Sequence, residues 1–190
     1  KIKKQKQEVP ILYIEADEDH VPLQIGKRDI SKIIYVHEGR KAVSKGRNKL
    51  LNVRYFTDAQ QNSEELWLDV ANYLDDAYNI ETIKKVYISG DGASWIKEGL
   101  NWIENSVFVL DKFHLAKYIR TATAHMDYTR APLWHYITQG MKQATIDLFD
   151  VIIAGTEDQP KRDTVRDAKR YILNNWEAIQ RQKDPDYIGC

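Results

Sequence analysis

The hydrophobic pattern of this sequence changes its period along the chain, and this change limits the folds that the chain can adopt. The first half carries short apolar runs separated by turn residues, as strands do, whereas the second half carries apolar residues at helical spacing. The runs that predict strands are residues 11–14, 32–37, 50–56, 85–89 and 106–110. The spacing that predicts helices covers residues 63–77, 95–103, 113–126, 132–153 and 160–182, with breaks at 154–156 and 184–185.

These elements follow the order βββ-α-β-α-β and then continue as helices. Three consecutive strands with short connections predict an antiparallel meander, and a meander that leads into alternating α and β elements is the ribonuclease-H-like arrangement. We therefore predict an α/β fold with a ribonuclease-H-like mixed sheet, followed by a helical insertion region. A doubly wound nucleotide-binding fold would carry a glycine-rich first loop, and the sequence contains neither GxGxxG nor GxxxxGK[ST].

Composition excludes several classes of protein. The 28 Lys and Arg residues balance 28 Asp and Glu residues, although residues 1–60 hold 13 Lys and Arg against 8 Asp and Glu. No apolar run is long enough to span a membrane, and the single cysteine, Cys190, excludes a disulfide framework within the chain. We therefore expect a cytoplasmic protein. The absence of an initial Met and of a closing helix favours a piece of a longer protein over a trimmed small domain.

Two aspartates follow strands that a ribonuclease-H-like sheet would place side by side. Asp17 comes after the first predicted strand, and Asp91 comes after the fourth, between Gly90 and Gly92. Carboxylates from neighbouring strands can converge on Mg²⁺ or Mn²⁺, and two such ions can hold the oxygens of a phosphodiester. Asp91 could instead form a turn or cap the helix near residue 94. Asp19, on the same face as Asp17 if the strand continues, is the alternative ligand.

Two further segments are candidates for DNA binding. His114 and Lys117 lie three residues apart after the fifth strand, where Asp111 would cap a helix. They could contact DNA phosphate or support a metal site, or they could be a half-buried His and a solvated Lys. The loop of residues 39–49 carries five cations and could contact phosphate or simply be solvated. Its candidate DNA-binding residues are Arg40, Lys41, Lys45 and Arg47.

Residues 13–17, 88–96 and 110–117 together resemble bacterial insertion-sequence transposases, most closely the ISLre-type group, which is related to the mutator-like transposases. The resemblance implies a DDE catalytic core, with Asp17 as the first acid and Asp91 as the second. His114 matches a recurrent histidine, whereas Asp111 stands where mutator-type relatives often have Cys. The resemblance divides the chain into a basic linker at 1–10, a partial catalytic core at 11–118 and a helical insertion region at 119–190.

The resemblance also implies a third acid, a Glu on a helix beyond the insertion. Glu157 and Glu177 are candidates by residue type, but we expect this Glu to lie after Cys190, so that the chain is inactive alone. The implied function is hydrolysis at the ends of a transposon and strand transfer into target DNA, with two Mg²⁺ or Mn²⁺ ions and double-stranded DNA as partner. The full-length protein is expected to be a homo-oligomer without a membrane partner. The alternatives are a non-catalytic domain that binds nucleic acid or a protein partner, and a nuclease for RNA–DNA hybrids.

Overall fold

The computed structural model describes residues 5–22, 28–58 and 62–189. It divides into two compact units. The first contains Lys1–Val109 and Pro185–Cys190, and the second contains Leu110–Asp184. Within the described part of the chain, no helix is both long enough and apolar enough to cross a lipid bilayer.

A five-stranded mixed sheet forms the centre of the first unit. The strands are, in chain order, β1 (Ile11–Pro22), β2 (Arg28–His37), β3 (Arg40–Ser44), β4 (Arg47–Leu50), β5 (Arg54–Asp58), β6 (Lys85–Gly90) and β7 (Ser106–Leu110). The sheet has the order β5-β2-β1-β6-β7, in which β2 is antiparallel to β1 and to β5, and β1 is parallel to β6. The predicted ribonuclease-H-like mixed sheet is confirmed, because the first and fourth predicted strands are neighbours in it.

The region between β2 and β5 departs from the prediction. The loop expected at residues 39–49 is a two-stranded antiparallel ribbon of β3 and β4, which turns at Gly46 with a φ of 76°. The single strand expected at residues 50–56 was wrong, since Leu50 ends β4 and the next strand begins at Arg54. The hydrophobic pattern did not predict this ribbon, because the ribbon is polar in composition and both of its faces are exposed. Its two strands pair through backbone hydrogen bonds, which leave no apolar pattern in the sequence.

Two helices pack against the sheet, one beside β5 and one beside β6, and Leu12 and Ile14 of β1 are fully buried. The first helix, α1 (Ser63–Ala77), begins where the Asn62 side chain accepts a hydrogen bond from the backbone N–H of Glu65. The second, α2 (Ser94–Glu98), is shorter than the predicted helix at 95–103. It tightens into a 3₁₀ turn at Gly99–Asn101, where the Trp67 ring of α1 occupies the space that a Cβ on Gly99 would need.

The second unit consists of helices that surround an apolar core. They are α3 (Lys112–Thr123), α4 (Arg130–Gln139), α5 (Lys142–Ala154), α6 (Gln159–Asn174) and α7 (Trp176–Gln180). The continuous helix expected at 132–153 was wrong, because Gly140 adopts a left-handed conformation with a φ of 75° and ends α4. The helix expected at 160–182 ends instead at Asn174, and the Asn175 side chain bonds back to the carbonyl of Tyr171. The core residues include Leu115, Ile119, Leu133, Ile137, Phe149, Ile152, Val165 and Ile172.

Candidate metal centre

The strand β1, which contains Asp17, and the strand β6, which Asp91 directly follows, are parallel neighbours in the sheet. The register runs from Ile11↔Lys85 to Glu15↔Ser89, a constant offset of 74 residues (85 − 11 and 89 − 15). The same offset joins Asp17 to Asp91 (91 − 17). Asp17 lies within β1, which continues to Pro22, and Asp91 directly follows the last residue of β6. Both acids therefore lie next to the carboxyl end of the β1–β6 ladder, on neighbouring strands.

Asp91 closes the turn that leads out of β6. Its Oδ1 accepts a hydrogen bond of 2.8 Å from the backbone N–H of Ala93, and Gly92 has a φ of 88°, which only glycine adopts easily. The N-cap position of α2 is Ala93, which makes no side-chain cap bond. The expected alternative of Asp91 as a helix cap was therefore wrong, and the turn role holds its half-buried carboxylate at the end of the strand.

Asp17 is exposed, and its Oδ1 accepts a hydrogen bond of 2.8 Å from the backbone N–H of Glu18. The backbone of Asp19 pairs with Ser31 of β2, so β1 continues past Asp17. This continuation is the condition under which Asp17 and Asp19 lie on the same face of the strand. The side chain of Asp19 lies outside the described residues, and the choice between the two aspartates stays a prediction.

A buried polar pair, Glu15 and His37, lies next to Asp17. Glu15 is two residues before Asp17 in β1 and therefore on the same face of the strand. Glu15 is 8% exposed and His37 is 1% exposed, and the carboxylate Oε1 lies 3.8 Å from the imidazole Nε2. The other ring nitrogen, Nδ1, accepts a hydrogen bond of 3.1 Å from the backbone N–H of Gly39, and the His37 ring stacks on Tyr13. Sequence reasoning missed this pair, although the alternation of a strand places Glu15 and Asp17 on one face and gave a signal for it.

The donor set at the strand ends fits a hard divalent cation in part. Mg²⁺ takes oxygen ligands and is usually bound by one or two protein carboxylates, with phosphate oxygens and water completing its octahedron. Asp17 and Asp91 provide two such carboxylates. In the part of the chain that the structure describes, no cluster of three or more His, Cys, Asp or Glu residues is placed to hold a metal ion.

The residues that follow β7 form a tight local arrangement at the start of α3. Asp111 caps the helix as predicted, because its Oδ1 accepts a hydrogen bond of 2.7 Å from the backbone N–H of His114. Its Oδ2 lies 2.7 Å from the Nδ1 of the same histidine. This contact orients the imidazole and turns its Nε2 away from the carboxylate, a geometry that also prepares histidines to bind metals or phosphate. Lys117 is exposed one turn further along.

The ribbon of β3 and β4 presents the predicted DNA-binding cations. Arg40, Lys41, Lys45 and Arg47 are all exposed. Lys41 pairs directly with Lys49 across the ribbon, which places two like charges opposite each other.

The base of the ribbon is fixed to the first unit by Glu38. This carboxylate accepts hydrogen bonds from the Asn52 side chain at 2.8 Å and from the Tyr78 hydroxyl at 3.0 Å. These two hydrogen bonds fix the base of the ribbon, which we call its root.

Neither candidate for the third acid lies on a strand end. Glu157 is exposed in the connection between α5 and α6, and Glu177 is exposed on α7. Both positions agree with a surface role, and both residues belong to the second unit.

The first unit of the chain thus has a ribonuclease-H-like mixed sheet, in which one aspartate lies within β1 and another directly follows the neighbouring parallel strand β6. The chain belongs to UPF0236, described as an uncharacterised protein family, whose model matches residues 1–185. It is 48% identical over 188 residues to UPF0236 protein TTE0610/TTE0881/TTE1053/TTE2432 of Caldanaerobacter subterraneus subsp. tengcongensis, covering 98% of this chain and 40% of the relative. A second UPF0236 protein of that organism, TTE1650/TTE2708, is also 48% identical over 188 residues, which are 98% of this chain and 38% of that relative.

A third relative from the same organism has a name that joins eleven locus designations, and it shares 48% identity over 188 residues, 98% of this chain and 40% of its own length. The chain therefore spans about two fifths of the length of the curated relatives that it matches.

Proposed function

We propose that this chain is the front part of the catalytic domain of a DDE-type DNA transposase of an insertion sequence. The observation that carries the proposal is the register of β1 and β6, whose constant offset, continued two residues past the last pair Glu15↔Ser89, would align Asp17 with Asp91. The sheet order supports it, since β1 and β6 are neighbours, as the strands that carry the first two acids of a ribonuclease-H-like nuclease are expected to be. The relative with eleven locus designations supports it as well, because a gene repeated within one genome is typical of a mobile element.

The two aspartates would hold divalent cations, Mg²⁺ or Mn²⁺, on which the phosphodiester is bound. When bound, two such ions polarise the phosphate and stabilise the charge on the attacking and leaving oxygens. The protein's own part is to fix the carboxylates. The turn bond from Ala93 orients Asp91, and the ladder between β1 and β6 sets its separation from Asp17.

A third acidic ligand is required, and we propose that a part of the longer polypeptide supplies it. The described residues contain no cluster of three or more metal-binding side chains, and the relatives are more than twice as long as this chain. Residues 1–190 would then bind metal weakly and would not catalyse strand transfer alone. We further propose that the full-length protein acts as a homo-oligomer in the cytoplasm.

Double-stranded DNA would be contacted by the ribbon, through Arg40, Lys41, Lys45 and Arg47, and by His114 and Lys117 of α3. Phosphate contacts of this kind position DNA without reading its sequence. The exposure of the Lys and Arg residues in this set supports the assignment.

Metal binding and DNA nicking test the proposal directly in the full-length protein. We expect Asp17→Asn and Asp91→Asn each to weaken Mn²⁺ binding at least tenfold, measured by the loss of the free-ion signal in electron paramagnetic resonance. We expect the same variants to abolish nicking of a supercoiled plasmid that carries the element ends. Asp69→Asn is the matched control, since Asp69 is exposed on α1 away from the strand ends and should leave both measurements unchanged.

The same assays distinguish the transposase from the alternative function, which is a non-catalytic domain that binds nucleic acid. The cationic ribbon would serve either function. Wild-type protein that binds DNA but neither nicks it nor loses Mn²⁺ affinity on removal of Asp17 and Asp91 would contradict the transposase assignment and support the binding domain.

A further inference from the structure

Helix α3 carries an exposed aromatic–cationic stripe, formed by Phe113, Lys117 and Arg120. These residues are spaced i, i+4 and i+7 and therefore share one face of the helix, opposite the buried Leu115 and Ile119. Phe113 is 68% exposed, and Lys117 and Arg120 are exposed as well. A phenyl ring has no polar atom for water to bind, so this exposure leaves apolar surface in contact with solvent. The rest of the helix is amphipathic in the ordinary way.

Within the described part of the chain, no ion pair neutralises the cations of this face. The sequence of α3 contains no acidic residue, and among the described residues no carboxylate lies within ion-pairing distance of Lys117 or Arg120. The cations of α6 differ in this respect. Arg166 pairs with Asp163 at 3.0 Å, and Arg170 pairs with Asp167 at 2.7 Å.

The aromatic ring of the stripe is held in place from its own helix. The Phe113 ring packs edge-on against the His114 ring, with centroids 5.3 Å apart. The bond between His114 and Asp111 fixes that imidazole in turn. Phe113 is thus presented to solvent by a fixed neighbour, which lowers the entropy lost when a flat ligand stacks on it.

We propose that the aromatic–cationic stripe binds an unpaired DNA strand, with a base stacked on Phe113 and backbone phosphates on Lys117 and Arg120. Stacking on an exposed ring needs the face of a base, and a duplex hides those faces within its stack. The two cations follow Phe113 along the helix axis at about 6 Å and 10 Å, a span suited to the backbone of one strand. The inference rests on the proposed function in taking DNA as the ligand, but it does not depend on the metal chemistry.

Fluorescence anisotropy with a labelled oligonucleotide tests the stripe, with the 190-residue chain in EDTA. We expect Phe113→Ala to weaken binding of a mixed-sequence single strand about tenfold and binding of the corresponding duplex less than twofold. Phe113→Trp should retain the affinity for the single strand. Tyr128→Ala is the matched control, because Tyr128 is 73% exposed on a 3₁₀ turn of the same unit and should leave binding unchanged.

The cations are tested in the same way. Lys117→Gln and Arg120→Gln should each weaken binding of the single strand several-fold, whereas Arg170→Gln, which removes an ion-paired cation, should not. Circular dichroism of each variant verifies that the helices are intact. The assay is run in EDTA and measures DNA binding without metal, so a failure of the metal site and a failure of the stripe give different results.

Three outcomes would overturn the inference. The first is a Phe113→Ala variant that binds the single strand as tightly as Tyr128→Ala does. The second is an equal loss of duplex and single-strand binding in Phe113→Ala. The third is a wild-type chain that does not bind the single strand but self-associates through Phe113, seen as a change of sedimentation coefficient in Phe113→Ala.

Discussion

At the scale of the residue, Gly90 sets the spacing of the candidate metal centre. A Cβ at this position would lie 2.6 Å from the backbone oxygen of Ala16 and 2.7 Å from the Cδ1 of Ile96. The first contact is with backbone of the neighbouring strand, which cannot move without changing the ladder. A glycine is therefore required at position 90, where β6 approaches β1 closely. Gly90 directly precedes Asp91, and Ala16, which it approaches, directly precedes Asp17.

We predict that Gly90→Ala lowers the free energy of unfolding by about 2–3 kcal/mol, as overpacking of a close backbone contact does. It should also weaken Mn²⁺ binding by the full-length protein several-fold, because the strands that carry Asp17 and Asp91 must separate. Chemical denaturation and a metal titration measure the two effects.

The control for this prediction is Gly46→Ala in the turn of the ribbon. Gly46 has a φ of 76° and no heavy atom near its missing Cβ, so this variant should lose about 1 kcal/mol through backbone strain alone. Its Mn²⁺ affinity should equal that of the wild type. Equal metal affinity in Gly90→Ala as well would show that the strand spacing does not control the site.

The residues of the site were predictable from the sequence to different degrees. Asp17 and Asp91 were predicted because each follows an apolar run, and their role as metal ligands stays a prediction. The order of the runs predicted which strands are neighbours, and the sheet confirms that order. Glu15 and His37 were not found, since their burial depends on the pairing of β1 with β2 and on the backbone of Gly39, which lie in different parts of the chain. The alternation of β1 indicates the face on which Glu15 lies, but it does not indicate that His37 is its partner.

At the scale of the element, the root of the ribbon depends on a buried tyrosine. Tyr78 follows α1 and donates its hydroxyl to Glu38. Burial raises the pKa of Tyr78 far above its ordinary value of about 10, and the neighbouring Tyr73 hydroxyl and the Glu38 carboxylate raise this pKa further. The neutral phenol is thus the form that the fold requires.

We predict that Tyr78 makes the stability of the first unit fall above pH 10. The unfolded chain releases this proton near pH 10 while the folded chain keeps it, so the unfolded state binds fewer protons and the free energy of unfolding decreases as pH rises. Each pH unit above 10 should cost up to about 1.4 kcal/mol from this group. Denaturation between pH 8 and pH 11 should show a weaker pH dependence in Tyr78→Phe than in the wild type. Tyr128→Phe, at an exposed position, should behave like the wild type and would otherwise contradict the assignment.

Elements with a strong apolar period were predicted well, and those held by backbone pairing were not. The helix α1 and the strands β6 and β7 agree with their patterns within a residue or two, because burial on one face dictates their period. The ribbon of β3 and β4 has no buried face. The break between α4 and α5 depends on a single residue, Gly140, in a left-handed conformation. A hydrophobic pattern does not encode either feature.

At the scale of the whole molecule, the formal net charge is zero, so the proposed DNA binding would have to come from local patches. The ribbon is the clearest such patch. Residues 39–57 contain six Lys and Arg residues and no Asp or Glu. A protein of zero net charge gains no general attraction to DNA, so any salt-dependent affinity reports the phosphates that a particular patch contacts.

We predict that replacing Arg40, Lys41, Lys45 and Arg47 together by Gln reduces the salt dependence of duplex binding. Each lost phosphate contact lowers the slope of log affinity against log salt concentration by about 0.9, so the change should be up to about 3–4 if all four cations contact phosphate. The matched control changes the net charge equally and replaces cations of α6, namely Lys161, Arg166, Lys169 and Arg170, three of which pair with carboxylates. A salt titration of duplex affinity should separate the two variants. An equal change of slope in both would mean that overall charge, and not the ribbon, governs the attraction to DNA.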